Sequence, residues 1–175
     1  MKRAVFLDRD GVINAAVLRE GKPYPPASLA EVRILDDVPQ ALRLLKNAGL
    51  RLAVITNQPD VARGTQQREV VEAINSWLGS QLPLDRFEVC YHDEAYACDC
   101  RKPKPGLIVR SAQALGVEVV TGFMVGDRWR DIDAGKAAGC RSVWIDRGYA
   151  EKQPDNHDYR ATSLLEAAEW IIQQM

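Results

Sequence analysis

The sequence predicts an α/β domain: a doubly wound, mostly parallel sheet covered by helices on both faces. Three observations carry that expectation. Short apolar runs alternate with helix-patterned segments along the whole chain. The runs are apolar throughout, as in strands buried on both sides, instead of alternating with polar residues. The chain of 175 residues, 46% hydrophobic and 27% charged, fits a single unit spanning 1–175. That length buries ~70% of the surface of the unfolded chain, so no disulfide is required.

The first strand is Ala4 to Leu7, ending at Asp8. Asp36 and Asp37 are good caps for a helix with Pro39 in its first turn. Val38, Ala41, Leu42, Leu45 and Ala48 share its inner face, and Gly49 stops it. Leu52 to Ile55 forms the second strand, ending at Thr56-Asn57. Thr65 can cap a helix whose inner face is Val70, Val71, Ile74, Trp77 and Leu78. The third strand runs from Phe87 to Tyr91. Pro105 opens a helix with Leu107, Ile108, Ser111, Ala112 and Leu115 inward, and Gly116 ends it. Phe123-Met124-Val125 leads into Gly126-Asp127, Asp131 to Ala138 reads as a small-residue helix, and Ser142 to Ile145 as a fifth strand. Ser163 and Glu166 have the spacing of a capping box before the last helix. Trp77 and Trp170 read as core or partner-facing residues, Cys140 as a small buried one, and His157 as a solvated loop residue.

Two long irregular stretches remain, a flap of about 11–36 and a loop of about 90–104. Structureless segments of that length in a compact domain usually carry function.

Lys and Arg number 23 against 24 Asp and Glu, a net charge of -1. No basic excess or patch marks a nucleic-acid or anionic-membrane binder. The basic start gives way to only four apolar residues before Asp8, too few for an export core. No run approaches the ~20 apolar residues that span a bilayer. A cytoplasmic monomer is the expectation, with its four Cys as metal ligands or thiols.

Ligands of such sheets bind at the carboxyl ends of the strands. Asp8, Thr56, His92 and Asp127 each fall at or just past one of those ends. Singly, each has an ordinary explanation: a strand-end Asp is often a helix cap, Thr56-Asn57 a turn and Lys102 a solvated charge. Together, in order, they place two or three carboxylates, an ammonium and a hydroxyl on one edge. Clustered carboxylates repel until a cation joins them, and Mg²⁺ suits a site that keeps waters and a substrate phosphate. Asp8 can act as nucleophile. Asp10, on the same side of the extended chain, can protonate the leaving oxygen and then activate water. Thr56 and Lys102 can hold the phosphoryl oxygens. Asp131 can cap the following helix or bind metal waters. Trp129 can stack on a sugar or pack under its helix.

Cys90-x-His92 and Cys98-x-Cys100 offer four ligands that can wrap a tetrahedral Zn²⁺. The rival reading is a buried strand Cys90 beside a Cys-x-Cys redox pair.

Asp8-Arg9-Asp10-Gly11-Val12, Ile55-Thr56-Asn57-Gln58, Arg101-Lys102-Pro103 and Gly126-Asp127 with Asp131 resemble the four motifs of the haloacid dehalogenase superfamily. The Asp-x-Asp form resembles its phosphatase branch. There the first Asp is nucleophile, the second is general acid/base, and Mg²⁺ binds the first Asp, the carbonyl of the second and the fourth-motif Asp. Asp8, Asp10 and Asp127 match those positions. Thr56-Asn57-Gln58, Ala62-Arg63-Gly64 and Cys98-Asp99-Cys100-Arg101-Lys102-Pro103 further resemble the D-glycero-D-manno-heptose 1,7-bisphosphate 7-phosphatases and related histidinol phosphatases. That resemblance implies no large cap domain, a structural Zn²⁺ in the second loop, and substrate phosphate on Arg101 and Lys102. Arg128 matches another substrate-contacting position, and Asn57 and Arg63 complete the candidate substrate set. The five residues between the ligand pairs are fewer than in those heptose enzymes, and the flap lacks their His-Gly-Tyr-type segment.

The resulting expectation is a Mg²⁺-dependent phosphatase for a small phosphorylated metabolite, with a heptose 1,7-bisphosphate cleaved at position 7 as first choice. Three arginines favour a second phosphate over histidinol phosphate, whose amine would prefer an acidic flap residue such as Glu20. A phosphometabolite-binding protein on the same fold is the non-enzymatic alternative, and it would need neither Asp8 nor Asp10 as reactants.

Overall fold

Alternation within a single strand sets the two faces of the protein. In the computed structural model, which describes residues 2–175, β1 (Ala4–Leu7) is wholly buried. Val5 and Leu7 join one apolar cluster, whereas Ala4 and Phe6 join another on the opposite face. With both faces covered there is no polar side for a period of two to reveal.

The main sheet adds β4 (Arg51–Asn57), β5 (Arg86–Cys90), β6 (Phe123–Gly126), β7 (Arg141–Ile145) and β8 (Tyr159–Ala161). Its order is β5-β4-β1-β6-β7-β8, and every neighbouring pair is parallel. The chain runs outward from β1 through β4 to β5, then returns to β6 on the other side of β1. That reversal puts the topological switch point at the carboxyl ends of β1 and β6, with β4 beside them.

Helices α1 (Val38–Asn47), α2 (Arg68–Gln81) and α5 (Leu164–Gln173) pack on one face, and α3 (Gly106–Leu115) and α4 (Trp129–Ala138) on the other. Trp170 meets Phe123 edge to face at 6.2 Å and stacks on Tyr159 at 5.1 Å, so it belongs to the core rather than to a partner. Trp77 packs half-buried against the same cluster. No helix of the described residues is long and apolar enough to cross a membrane.

The local reading needs several corrections. The flap is not wholly irregular: β2 (Val17–Arg19) and β3 (Lys22–Tyr24) form an antiparallel hairpin. β8 had no counterpart in the expected strands. Thr65 does not cap α2; its hydroxyl donates to the Asp60 carbonyl, and Gln67 takes the capping position. α4 begins at Trp129, two residues before the expected start. His157 is half-buried, its ring 5.3 Å from that of Trp144. Asp37 precedes α1 with helical backbone angles and no side-chain cap; its carboxylate instead accepts the Leu165 N–H of α5 at 3.0 Å. Ser163 accepts the Glu166 N–H at 3.1 Å, so two side chains serve that one helix start.

Replacing Asp37 with Ala should therefore destabilise the fold by about 1 kcal/mol through α5. Urea unfolding checks the size, and faster amide exchange at Leu165 rather than at Ala41 checks the location.

Candidate active site

β1 delivers Asp8 directly, its N–H still bonded to the Val125 carbonyl of β6 at 2.9 Å. The chain then turns tightly: the N–H groups of Val12, Ile13 and Asn14 all reach the Arg9 carbonyl. Gly11 holds φ 88, and a Cβ there would lie 1.8 Å from Asp127 Oδ2. Only glycine meets both conditions. Val12 and Ile13 bury completely and pin the turn to the core.

The turn fixes Asp10 with a ring of donors. Arg9 Nε and NH2 reach its two oxygens at 3.2 and 3.1 Å, Asn14 Nδ2 reaches Oδ1 at 3.0 Å, and Gln58 Nε2 reaches Oδ2 at 2.9 Å. Arg9 is itself fully buried and held by Asn75 of α2 at 2.9 Å. Gln58 also donates to Thr56 Oγ1 at 2.9 Å, which ties Asp10 to the hydroxyl expected to face a phosphoryl oxygen.

Lys102 is 2% exposed. Its three ammonium protons find Asp8 Oδ1 at 2.7 Å, Asp131 Oδ1 at 2.6 Å and the Ile55 carbonyl at 2.8 Å. Burial alone would push its pKa down, yet the Asp131 and Asp8 carboxylates outweigh it and hold the ammonium charged. Asp131 also accepts the Arg128 N–H at 3.0 Å, so it caps α4 and grips Lys102 together.

Asp8, Asp127 and Asp131 present oxygens within 4.8 Å of one another, all buried. Burial, then repulsion from Asp131, raises the Asp8 pKa to about 6 against the pull of Lys102. Burial and the Asp8 and Asp131 charges push Asp127 well above the ordinary carboxylate range. Asp127 Oδ2 accepts the Tyr149 hydroxyl at 2.7 Å, whereas buried Oδ1 has no hydrogen-bond partner among the described residues. An orphaned carboxylate oxygen beside two buried carboxylates fits a divalent cation, which would remove both the repulsion and the unmet acceptor.

In the second loop the Sγ atoms of Cys90, Cys98 and Cys100 and His92 Nδ1 all lie within 4.8 Å of one another. The separations include Cys90 Sγ to Cys98 Sγ at 3.9 Å, Cys90 Sγ to His92 Nδ1 at 3.6 Å and His92 Nδ1 to Cys100 Sγ at 3.3 Å. Cys90 Sγ and Cys100 Sγ approach to 2.9 Å, closer than two thiolates on one tetrahedral ion, so the donor set suits a thiophilic ion once that pair opens; all four cysteines of the chain are free thiols. Burial pushes the Cys90 thiol up. Cys98 falls to about 6 despite burial, chiefly through the Arg101 backbone N–H and then the Cys100 thiol.

A pocket of about 280 Å³ opens above the carboxylates. Asp8, Asp10, Thr56 and Lys102 lie on its floor, and Asn57, Arg63, Arg101 and Arg128 line it, the last two in line with the resemblance. Their partners were not legible in the sequence. Both ends of the Asn57 amide are taken by the Lys102 backbone, at 3.0 and 3.1 Å. Arg128 forms a two-pronged pair with Glu151 at 2.8 and 2.6 Å, and Arg63 and Arg101 meet Glu94.

Sequence reasoning missed Arg130, Lys22 and Tyr24 in the pocket wall, Arg9, Asn14 and Gln58 around Asp10, and Tyr149. Tyr149 stands in the loop that leaves the carboxyl end of β7, the rule that found Asp8 and Asp127. Glu20 lies outside the lining, and the hairpin contributes Lys22 instead. Trp129 sits between Arg130 and Lys152, at 5.2 and 4.9 Å from its ring, and does not line the pocket.

Comparison with known proteins places the chain. A sequence profile of the haloacid dehalogenase-like hydrolases matches residues 17–139. The chain belongs to the haloacid dehalogenase-like hydrolases. Among relatives of this hydrolase, the D-glycero-beta-D-manno-heptose-1,7-bisphosphate 7-phosphatase of Pasteurella multocida is 34% identical over 154 residues, 82% of this chain and 80% of the relative. The enzyme of that name from Rhodopseudomonas palustris is 35% identical over 148 residues, 78% and 79% of the two chains. A crystal structure of a D,D-heptose 1,7-bisphosphate phosphatase from B. bronchiseptica, complexed with magnesium and phosphate, superposes with TM-score 0.80 at 27% identity over all of both chains.

If Tyr149 orients the Asp127 carboxylate, Tyr149→Phe should raise the Mg²⁺ concentration needed for half-maximal thermal stabilisation by ~10–100-fold. Melting curves over a Mg²⁺ titration read this without reference to turnover.

Proposed function

We propose that the protein is a Mg²⁺-dependent phosphatase that hydrolyses a sugar bisphosphate through an aspartyl-phosphate, with a D-glycero-D-manno-heptose 1,7-bisphosphate cleaved at position 7 as substrate. The supporting observation is the pairing of two opposite sites in one pocket. Buried Asp8 and Asp131 hold Lys102 with Asp127 beside them, and Arg63, Arg101 and Arg130 line the wall. The names of the relatives and the magnesium-and-phosphate complex from B. bronchiseptica support the same reading.

Mg²⁺ would be held by Asp8, the Asp10 carbonyl and Asp127, and when bound it supplies charge neutralisation for the phosphoryl group. An Asp8 oxygen attacks phosphorus, the phosphorus–oxygen bond to the sugar breaks, and Asp10 delivers its proton to the departing alkoxide. Asp10 then takes a proton from water, whose oxygen attacks the same phosphorus. Phosphate leaves, and the Asp8 carboxylate and the protonated Asp10 return. Lys102 and Thr56 hold phosphoryl oxygens through both steps. Arg9, Asn14 and Gln58 hold the ionised Asp10 carboxylate beside Asp8, and Asp10 gives up one of those donors when it carries the proton.

A structural Zn²⁺ on Cys90, His92, Cys98 and Cys100 belongs to the same proposal. Arg101 and Lys102 directly follow the last ligand, and Arg101 NH1 donates to the His92 carbonyl at 3.1 Å. Ordering such a loop costs ~1–2 kcal/mol per residue, and the metal meets that cost at folding rather than at substrate binding. The flap cation Lys22, in place of an acidic residue, favours a second phosphate over the amine of histidinol phosphate.

Asp8→Asn should leave the fold intact and remove phosphate release altogether; residual turnover near the wild-type rate would refute covalent catalysis. Asp10→Asn should lose ~10²–10⁴-fold on an alkyl phosphate and much less on p-nitrophenyl phosphate, whose leaving group needs no proton. Cys98→Ser should abolish zinc in metal analysis and lower the melting temperature. An unchanged melting temperature after zinc removal would argue against the anchoring role.

A further inference from the structure

Of the five residues between the two ligand pairs, Glu94 lines the pocket, and the mechanism does not use it. Glu94 projects from that short run into the pocket wall, its side chain 56% exposed. Its Oε2 meets Arg63 NH2 at 2.7 Å, and its Oε1 pairs with Arg101 NH2 and stands 4.0 Å from Arg130 NH1. Arg63 comes from the loop after β4, Arg101 from the loop before α3, and Arg130 from the first turn of α4. Three separate elements thus converge on one carboxylate, in the arrangement that guanidinium groups adopt around an oxyanion.

We propose that Glu94 is a displaceable counter-ion: it occupies the arginine cradle that receives the second phosphate of a bisphosphate substrate and leaves when that phosphate binds. The inference rests on the phosphatase reading above and assigns a counter-ion role within the same pocket.

Four features make displacement cheap and discriminating. The exposed carboxylate moves into water without burying charge. Arg63 keeps Asp60 at 3.1 Å after Glu94 leaves, and Arg101 keeps the His92 carbonyl at 3.1 Å, so both stay in place. Burial and the neighbouring charges of Arg101 and Arg128 lower the pKa of Arg130, so the cradle gains from any anion. The two oxygens of Glu94 together reach all three arginines, so its departure opens the whole cradle at once. A phosphate dianion outcompetes a single carboxylate there, whereas a hydroxyl does not. Glu94 therefore leaves for a second phosphate and stays in place for a ligand whose far end is uncharged, so its displacement is a cost that only the bisphosphate carries.

The test compares D-glycero-D-manno-heptose 1,7-bisphosphate with the 7-phosphate, which differ only at the far end. In Glu94→Gln and Glu94→Ala, KM for the bisphosphate should fall about fivefold, what two exposed ion pairs are worth. The ratio of the 7-phosphate KM to the bisphosphate KM should rise accordingly. A ratio that stays constant or falls overturns the proposal, because Glu94 would then be positioning the arginines or touching substrate. A wild-type enzyme that hydrolyses both with equal kcat/KM also overturns it while leaving the phosphatase reading intact. Should neither be hydrolysed, the phosphatase reading fails, and calorimetric titration of the bisphosphate into Mg²⁺-loaded Asp8→Asn and Asp8→Asn/Glu94→Gln still decides. Tighter binding by the double variant supports the counter-ion, and equal or weaker binding removes it.

Discussion

The arrangement depends on the burial of three carboxylates around a single ammonium. Asp8, Asp127 and Asp131 share one small volume with Lys102. Fully ionised, three negative charges against one positive leave an excess of two, in a place that water does not reach freely. Such a group is costly unless hydrogen bonds and a further cation complete it. The fold supplies the hydrogen bonds: the Ile55 carbonyl for Lys102, the Arg128 N–H for Asp131, the Tyr149 hydroxyl for Asp127. It leaves Asp127 Oδ1 unmet. The upward push on Asp8 and Asp127 is the same deficit seen as proton affinity, since a proton and a divalent cation relieve the same repulsion.

Holding Lys102 there requires its loop to be as well fixed as the strands. Asn57 clamps the Lys102 backbone from the end of β4, accepting its N–H and donating to its carbonyl. On the upstream side the Cys-His quartet gathers the chain immediately before Arg101. A flexible lysine would surrender side-chain and backbone entropy at each binding event; one held from both sides surrenders it once, on folding. The adjacency of Cys100, Arg101 and Lys102 in sequence is therefore mechanical: the anchor and the charges it delivers occupy consecutive residues.

Much of this was legible before the structure because strand ends announce themselves. Asp8, Thr56 and Asp127 each close an apolar run, and a doubly wound sheet brings such ends to one edge. The missing parts carry that signal weakly or not at all. Tyr149 sits beyond β7 in a loop with no periodicity, and its partner is 22 residues away. β2 and β3 are three residues each, and β3 contains Pro23, which weakens any strand pattern. Asp37 looked like the cap of its own helix, yet its carboxylate crosses to α5, 128 residues on. Capping propensity says that an Asp wants an N–H; the tertiary fold decides whose. The arginines show the same division: the resemblance implied Arg101 and Arg128 at the substrate, whereas their pairing with Glu94 and Glu151 is a product of packing.

The pairing explains how a chain with nearly balanced charge can build two fields of opposite sign side by side. The floor of the pocket is anionic and draws a metal cation; the wall is cationic and draws an anion. A ligand with phosphates at both ends meets these in sequence. One phosphate is repelled by the floor until a cation neutralises it, while the other can already trade places with a carboxylate on the wall. Charge order along the pocket thus implies an order of events, metal first and substrate second. It also implies one orientation, because only the floor holds a nucleophile and only the wall holds a cradle of arginines without one. Orientation set by fixed charges costs no motion at the moment of reaction, which is the sense in which an electrostatic layout is also a catalytic one.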